Sequence, residues 1–383
     1  MNVILYDALI PGMNILLESL ASRYSLGVLP ETQQALQAYE AKNDVKAIFV
    51  RSTTKVNDAF LSHFPNVKFI ATATSGTDHL DIAALEARGI FWMDAKGSNA
   101  KAVGDYVAYM LMLLNQQKQI RLESGKAVVV GYGCVGHEVK ANLAQLGLNA
   151  HWVDPFLSDE QFDSIEAQVR LDLDSKCESW LSETSLLCIH TPLRKEEPWS
   201  TYQWLNEERL AALPDGAVII AAGRGEVLDQ DALLNHAHRL TYVLDVWPLE
   251  PNIVFSLLDR AAYATPHIAG HSKLGKLKGS WQVVEGFMAW AGYDLPLHKQ
   301  DFFADMLKNH QGTIQLPKNQ SGLSTSAEVL NQSLVEVAAS AFDFNTIDKN
   351  LRAAVHQSSD DDTGLSFKAE RKKYPQHPEI EWQ

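Results

Sequence analysis

The sequence predicts an α/β protein: two parallel-sheet domains followed by a smaller α+β region. Three observations carry that reading. Short β-rich runs alternate with helical patterns from Met1 to about Tyr293. A glycine-rich turn joins one of those runs to a helix. At 383 residues the chain also exceeds what one compact core ordinarily holds, so two or three domains are expected.

Taken in order, "VILYD" leads to "GMNILLESLASRY", "AIFVRS" to "NDAFLSHF" and "KFIATATS" to "DIAALEARG", and "IFWMDA" follows. Asn99 to Gln117 reads as a long amphipathic helix entering a second α/β unit. That unit runs through "AVVVGYGCVG", "NAHWVD", "SLLCIHTPL", "GAVIIAAGRG", "TYVLDVW" and "AYATPHIAG". From about Lys273 the pattern is helical again, as expected if the chain crosses back to the first domain. After "YDLPLHKQ" the alternation weakens: "TIQLPKNQSGLSTS" reads as a short strand and linker, and "AEVLNQSLVEVAASAFDFNTIDKNLRAAV" as helix. The expected domains are 1–96 with 272–293, then 97–271, then 294–383.

Composition excludes several classes. The chain is 46% hydrophobic and 21% charged, with a net charge of −14. That sign disfavours nucleic acid or a membrane surface as a general partner, because both are polyanionic. A local basic pocket for an anionic metabolite stays possible. The longest apolar runs, such as "VAYMLMLL", fall short of the roughly 20 residues that span a bilayer, and "MNVILYDALIPG" has no signal-peptide pattern. Cys134, Cys177 and Cys188 are scattered and odd in number, which speaks against a disulfide framework or zinc knuckle and for a reducing cytoplasm.

"VVVGYGCVG" is the strongest local signal. Gly131, Gly133 and Gly136 match G-x-G-x-x-G between a β-run and a helix, with Cys134 and Val135 inside the turn. The first glycine permits the turn, the second lets a pyrophosphate approach, and the third packs helix on strand. Asp154 lies about 20 residues further on, where a carboxylate accepts from the ribose 2′-hydroxyl and repels a 2′-phosphate. The expected cofactor is therefore NAD.

Arg224 in "AAGRGEVLD", Glu250 in "LDVWPLEP" and His267 in "TPHIAG" each follow a β-run of the same unit. A guanidinium holds a carboxylate and polarises the reacting oxygen. An imidazole accepts a hydroxyl proton as hydride leaves carbon, and a carboxylate orients that imidazole. His267 and His271 stand at i and i+4, the spacing at which two histidines on a helix can share a metal. The intervening "IAG" lacks the acidic residue of a zincin motif and Gly270 weakens a helix there. No metal is expected.

With these residues in order, the chain resembles the D-isomer-specific 2-hydroxyacid dehydrogenases from Met1 to about Tyr293. The resemblance implies two Rossmann- and flavodoxin-like domains with the active site in the cleft between them. It implies that Arg224 binds substrate, Glu250 supports the histidine and His267 is the acid/base. Thr191, Ala222, Gly223, Asp245 and Gly270 would line the cofactor, and the Ser75–Gly76 turn would offer N–H groups to a substrate carboxylate. "VRSTTKVN", "ATATSGTDHLD", "GSNAKAVGDYV" and "HIAGHSKLGK" resemble a branch acting on a small phosphorylated hydroxy acid. There Ser52 and Thr74 would contact substrate, with Arg51 and Lys55 supplying positive charge. His271 replaces the tyrosine usual at a substrate-contacting position. The C-terminal stretch resembles that branch's dimerisation domain, which implies a homodimer. Two alternatives stay open: a dehydrogenase for 3-phosphoglycerate, glycerate or lactate, or a non-catalytic NAD-sensing protein.

Overall fold

A computed structural model describes residues 2–116, 126–156, 179–308, 312–316, 336, 340–358, 362–374 and 376–382. The chain divides into two compact units, Met1–Asn99 with Ser272–Gly312 and Ala100–His271 with Thr313–Gln383.

The first unit carries β1 (Val3–Tyr6), β2 (Ser25–Val28), β3 (Val45–Val50), β4 (Phe69–Thr72) and β5 (Phe91–Asp94). They form one parallel sheet in the order β2-β1-β3-β4-β5. Its central strands are buried on both faces, as expected of a parallel sheet covered by helices, which is why "AIFV" and "FIAT" read as continuous apolar runs. Side-chain caps start the covering helices: Asn57 accepts from Phe60 N, Asp81 from Ala84 N, and Ser272 from Gly275 N. The last of these opens the helix Lys273–Trp290, the expected return of the chain. Its Phe287 ring meets Phe69 at 5.1 Å and Phe49 at 5.7 Å, both edge-on, so the helix is built into this unit's core.

Six described strands form the second sheet: β6 (Lys126–Val130), β7 (Ala150–Val153), β8 (Thr184–Ile189), β9 (Val218–Ala221), β10 (Thr241–Leu244) and β11 (Tyr263–Ala264). All neighbours are parallel, in the order β11-β10-β9-β8-β6-β7. The order reverses between β6 and β8. At such a reversal the loops leaving the strands diverge, and parallel sheets hold their ligands at the C-terminal strand ends beside it.

One element differs from its expected character. The helix Ala100–Gln116 is buried at every position from Ala102 to Leu114. One cause is the described part of 313–382, whose Ile314, Leu316, Phe344 and Ile380 join the same core. Phe344 packs on Tyr106 and Tyr109, each at 5.5 Å between ring centres.

The stretch 294–383, set apart on sequence grounds, is divided between the units at Gly312, and residues 97–99 group with the first unit. Strands β12 (Thr313–Leu316) and β13 (Glu379–Trp382) pair in parallel. The linker expected after Leu316 and Cys177 lie outside the described residues. Among those described, no helix is long and apolar enough to cross a membrane.

The helix Phe344–His356 covers the two-residue edge strand β11. Asp348 accepts from Ala264 N at 2.8 Å, Tyr263 donates to Asn345 Oδ1 at 2.8 Å, and Arg352 donates to the Leu258 and Ala261 carbonyls. Asp348 and Arg352 also pair at 2.8 Å. Asp348→Ala strands a buried amide and leaves that guanidinium without its carboxylate. It should cost about 1–3 kcal/mol of stability, read as a lower urea midpoint at unchanged slope.

Candidate active site

Gly131 follows β6 with φ at +90°, a region that L side chains rarely adopt. A Cβ there would also lie 2.9 Å from His190 O. At Gly136 a Cβ would stand 2.1 Å from Gly131 O, so helix Cys134–Gln145 can approach the turn only through glycine. Around Gly133 a Cβ would meet nothing within 4 Å, which leaves the backbone open to a ligand. Cys134 is exposed at the first turn of that helix. Asp154, just past β7, accepts from Tyr132 N at 2.8 Å and Phe156 N at 2.9 Å, which ties it to the glycine turn. The sequence-predicted nucleotide residues are thus brought together.

The neighbouring strand ends join them. His190 N donates to Val130 O at 2.8 Å, and a Cβ on Gly223 would meet Thr191 O at 3.1 Å. Thr191 therefore borders the glycine turn, and Gly223, next to Ala222, borders Thr191. Both ring nitrogens of His190 and the Thr191 hydroxyl are buried with no protein partner among the described residues. Buried polar atoms of that kind call for a polar ligand or water. Glycine turn, terminal carboxylate and unsatisfied hydroxyl together suit a dinucleotide.

Asp245, at the end of β10, organises the next loop. It is 1% exposed and accepts from Thr265 Oγ1 at 2.7 Å, Ile268 N at 2.7 Å and Ala269 N at 2.9 Å. Burial pushes its carboxyl pKa up, against His267 and these three donors. Tyr106 lies 2.8 Å from the Thr265 hydroxyl. Expected to line the cofactor, Asp245 here spends its carboxylate on the loop that carries His267 and Gly270. His267 N also donates to Asp245 O at 2.8 Å, and His267 is held at φ +55°. In that pose its Nδ1 lies 2.7 Å from Glu250 Oε1. The side chains are 30% and 19% exposed, and in the tautomer that donates from Nδ1 to Glu250 the Nε2 atom is an acceptor. Arg224 leaves β9 in extended conformation, part-buried, and donates to Gly223 O at 3.1 Å.

The expected substrate residues fall in both units. His271 belongs to the second, with its N–H donating to Ile268 O at 2.8 Å. In the first, Ser52 follows β3 and Thr74 follows β4, and Ala73 N bonds Val50 O at 3.0 Å, so the two loops adjoin. Thr74 Oγ1 lies 2.8 Å from Thr72 Oγ1, which lies 2.9 Å from His79 Nε2. Ser75 Oγ accepts from Gly97 N at 3.1 Å and fixes the turn beside Gly76. Arg51 donates through Nε to Asp7 at 2.8 Å, which tempers the positive charge expected there. Lys55 is exposed.

Residues 105–269 match the family described as D-isomer specific 2-hydroxyacid dehydrogenase, NAD binding domain. That stretch is similar to the NAD-binding domain of the D-isomer specific 2-hydroxyacid dehydrogenases. The matched span encloses the glycine turn, Arg224, Glu250 and His267. An erythronate-4-phosphate dehydrogenase of Proteus mirabilis is 40% identical over 260 residues, 66% of each chain. One of Yersinia enterocolitica is 39% identical over 253 residues, 64% of each. The chain thus spans just under two thirds of the length of these dehydrogenases. Solved structures share the fold. Apo D-mandelate dehydrogenase of Rhodotorula graminis superposes with a TM-score of 0.64 at 19% identity, covering 77% of this chain and 96% of its own. NAD-bound 3-phosphoglycerate dehydrogenase of Entamoeba histolytica gives 0.60 at 22%, covering 75% and 94%.

Sequence reasoning missed the loop-holding work of Asp245 and the part of Tyr106 in it, because each depends on partners distant in the chain. His190 yields a pH test. Burial pushes its imidazole pKa down to about 3, whereas an unfolded histidine titrates near about 6.5. Between those values the unfolded chain binds a proton that the fold refuses, so stability rises with pH across the window and is lost on acidification. His190→Asn should therefore flatten the loss of urea midpoint between pH 6.5 and 3; an unchanged slope would mean that the ring is solvated.

Proposed function

We propose that the protein is an NAD-dependent dehydrogenase that oxidises 4-phospho-D-erythronate at C2 to the 2-oxo-4-phosphate acid, a reaction of pyridoxine synthesis. The observation that carries this reading is the 2.7 Å contact between Glu250 and His267 at a strand end of the sheet that bears the glycine turn. The names of the relatives at 39–40% identity support the choice of substrate.

The Gly131–Gly136 turn and Asp154 would hold NAD, which when bound would supply the acceptor for the C2 hydride. Nε2 of His267 takes the hydroxyl proton as that hydride leaves. Glu250 holds the ring through Nδ1 and stabilises the imidazolium that results. Arg224 grips the carboxylate and the C2 oxygen, and as a fixed cation it favours the charge that develops there. Substrate contacts are assigned to Ser52, Thr74, the Ser75–Gly76 turn and His271, with Arg51 and Lys55 as cationic neighbours for the phosphate. A cytoplasmic homodimer is part of the same reading, supported by the cysteine pattern and the C-terminal resemblance.

Initial-rate assays by NADH absorbance should show kcat/KM for 4-phospho-D-erythronate well above that for 3-phosphoglycerate, glycerate and lactate. Preference for one of those acids would reassign the substrate. Hydride transfer to none of them, with tight NAD binding, would favour the sensing role. His267→Ala should lower kcat by about 10²–10⁴ if the ring is the general base; near-normal turnover would defeat the assignment.

A further inference from the structure

His377 stands just before β13 at a position that no sequence motif marks, and it is 1% exposed. Its backbone N–H donates to His271 O at 2.9 Å, and its ring Nε2 lies 2.9 Å from Ala269 O. Nδ1 lies 3.2 Å from Pro378 O. Burial pushes this imidazole pKa down, and both ring nitrogens face carbonyl oxygens. The shorter contact assigns an N–H to Nε2.

Two carbonyls of the histidine loop therefore accept from a single distant residue, while the Ile268 and Ala269 amides of the same loop go to Asp245. The loop is held by its donors from one side chain and by its acceptors from another residue. His377 is itself firmly placed. Its ring lies 5.7 Å from Phe342, 6.1 Å from Tyr109 and 6.2 Å from Phe344. Tyr109 donates to Pro378 O at 3.2 Å, and Ile380 N donates to Asp105 at 2.8 Å. An apolar side chain would satisfy those rings equally well. What histidine adds is the donor aimed at Ala269.

We propose that His377 is a positioning residue of the active site, acting through the backbone of residues 269–271 to fix His267 and His271. The catalytic half of this proposal rests on the dehydrogenase reading above; the grip on the loop does not. The test compares His377→Leu, which keeps apolar bulk and removes the donor, with His377→Gln, whose amide can still reach the carbonyl. Amide hydrogen exchange across 265–271 and steady-state kinetics are measured on the full chain, with thermal melting as the check of folding. In His377→Leu, exchange in that stretch should rise about tenfold, the worth of one buried hydrogen bond, with β6 unchanged. Its kcat should fall by a similar factor while the KM for NAD stays within about twofold, and His377→Gln should recover most of both. Unchanged exchange in His377→Leu, unchanged kcat in an active enzyme, or a glutamine variant no better than leucine would overturn the proposal. If the unsubstituted protein oxidises no hydroxy acid, the dehydrogenase reading fails while exchange still decides whether His377 holds the loop. Should His377→Leu not fold, His377→Asn, too short to reach Ala269, takes its place.

Discussion

The buried carboxylate of Asp245 is the constraint on which the site depends. Taking such a group out of water costs several kcal/mol unless protein donors replace the solvent. Here the donors are Thr265, Ile268 and Ala269, all from the loop that carries His267. Satisfying the charge and shaping the loop are one event. With Thr265 and Ile268 both bound to the same carboxylate, the backbone between them turns through a left-handed residue, and that residue is His267. A left-handed histidine is uncommon, and local strain of this kind persists where the surroundings over-determine it. Glu250 then has only to meet a ring that is already placed.

Sheet topology explains why the remaining groups gather. Parallel strands all end on the same edge, and the reversal between β6 and β8 parts the loops that follow them. The glycine turn and the His190–Thr191 stretch sit at that reversal, and Gly223 follows on the next strand, close against Thr191. Close backbone approach, rather than side-chain contact, joins these loops. That is why glycine recurs along the edge and why the polar atoms of His190 and Thr191 face no protein partner among the described residues.

What could be read from sequence was local. The β-runs, the glycine turn and Asp154 depend on spacing within a single βαβ unit, and Arg224, Glu250 and His267 could be placed because each directly follows a β-run. The pairing of Glu250 with His267 rested on chemical reasoning and a resemblance, since no spacing rule brings those two residues into contact. The helix Ala100–Gln116 misled for a related reason. Lys101 and Asp105 suggest a wet face, yet Asp105 is buried, with its carboxyl pKa pushed up to about 6 by that burial. It accepts from Lys101, Asn142 and the Ile380 amide, the last two far away in sequence. The hold of His377 on the loop gave no sign, because the Ala269 and His271 carbonyls lie over a hundred positions earlier.

The same long reach bears on synthesis. Strand β11 obtains its cover from the helix Phe344–His356, and the loop beyond it obtains its last restraints from His377. A ribosome delivers the glycine turn well before either. The strands that flank the glycine turn can therefore assemble on the nascent chain, while the loop that carries His267 receives its last restraints only after residues 344–377 have cleared the exit tunnel. The glycine turn precedes the anchored loop in the order of synthesis.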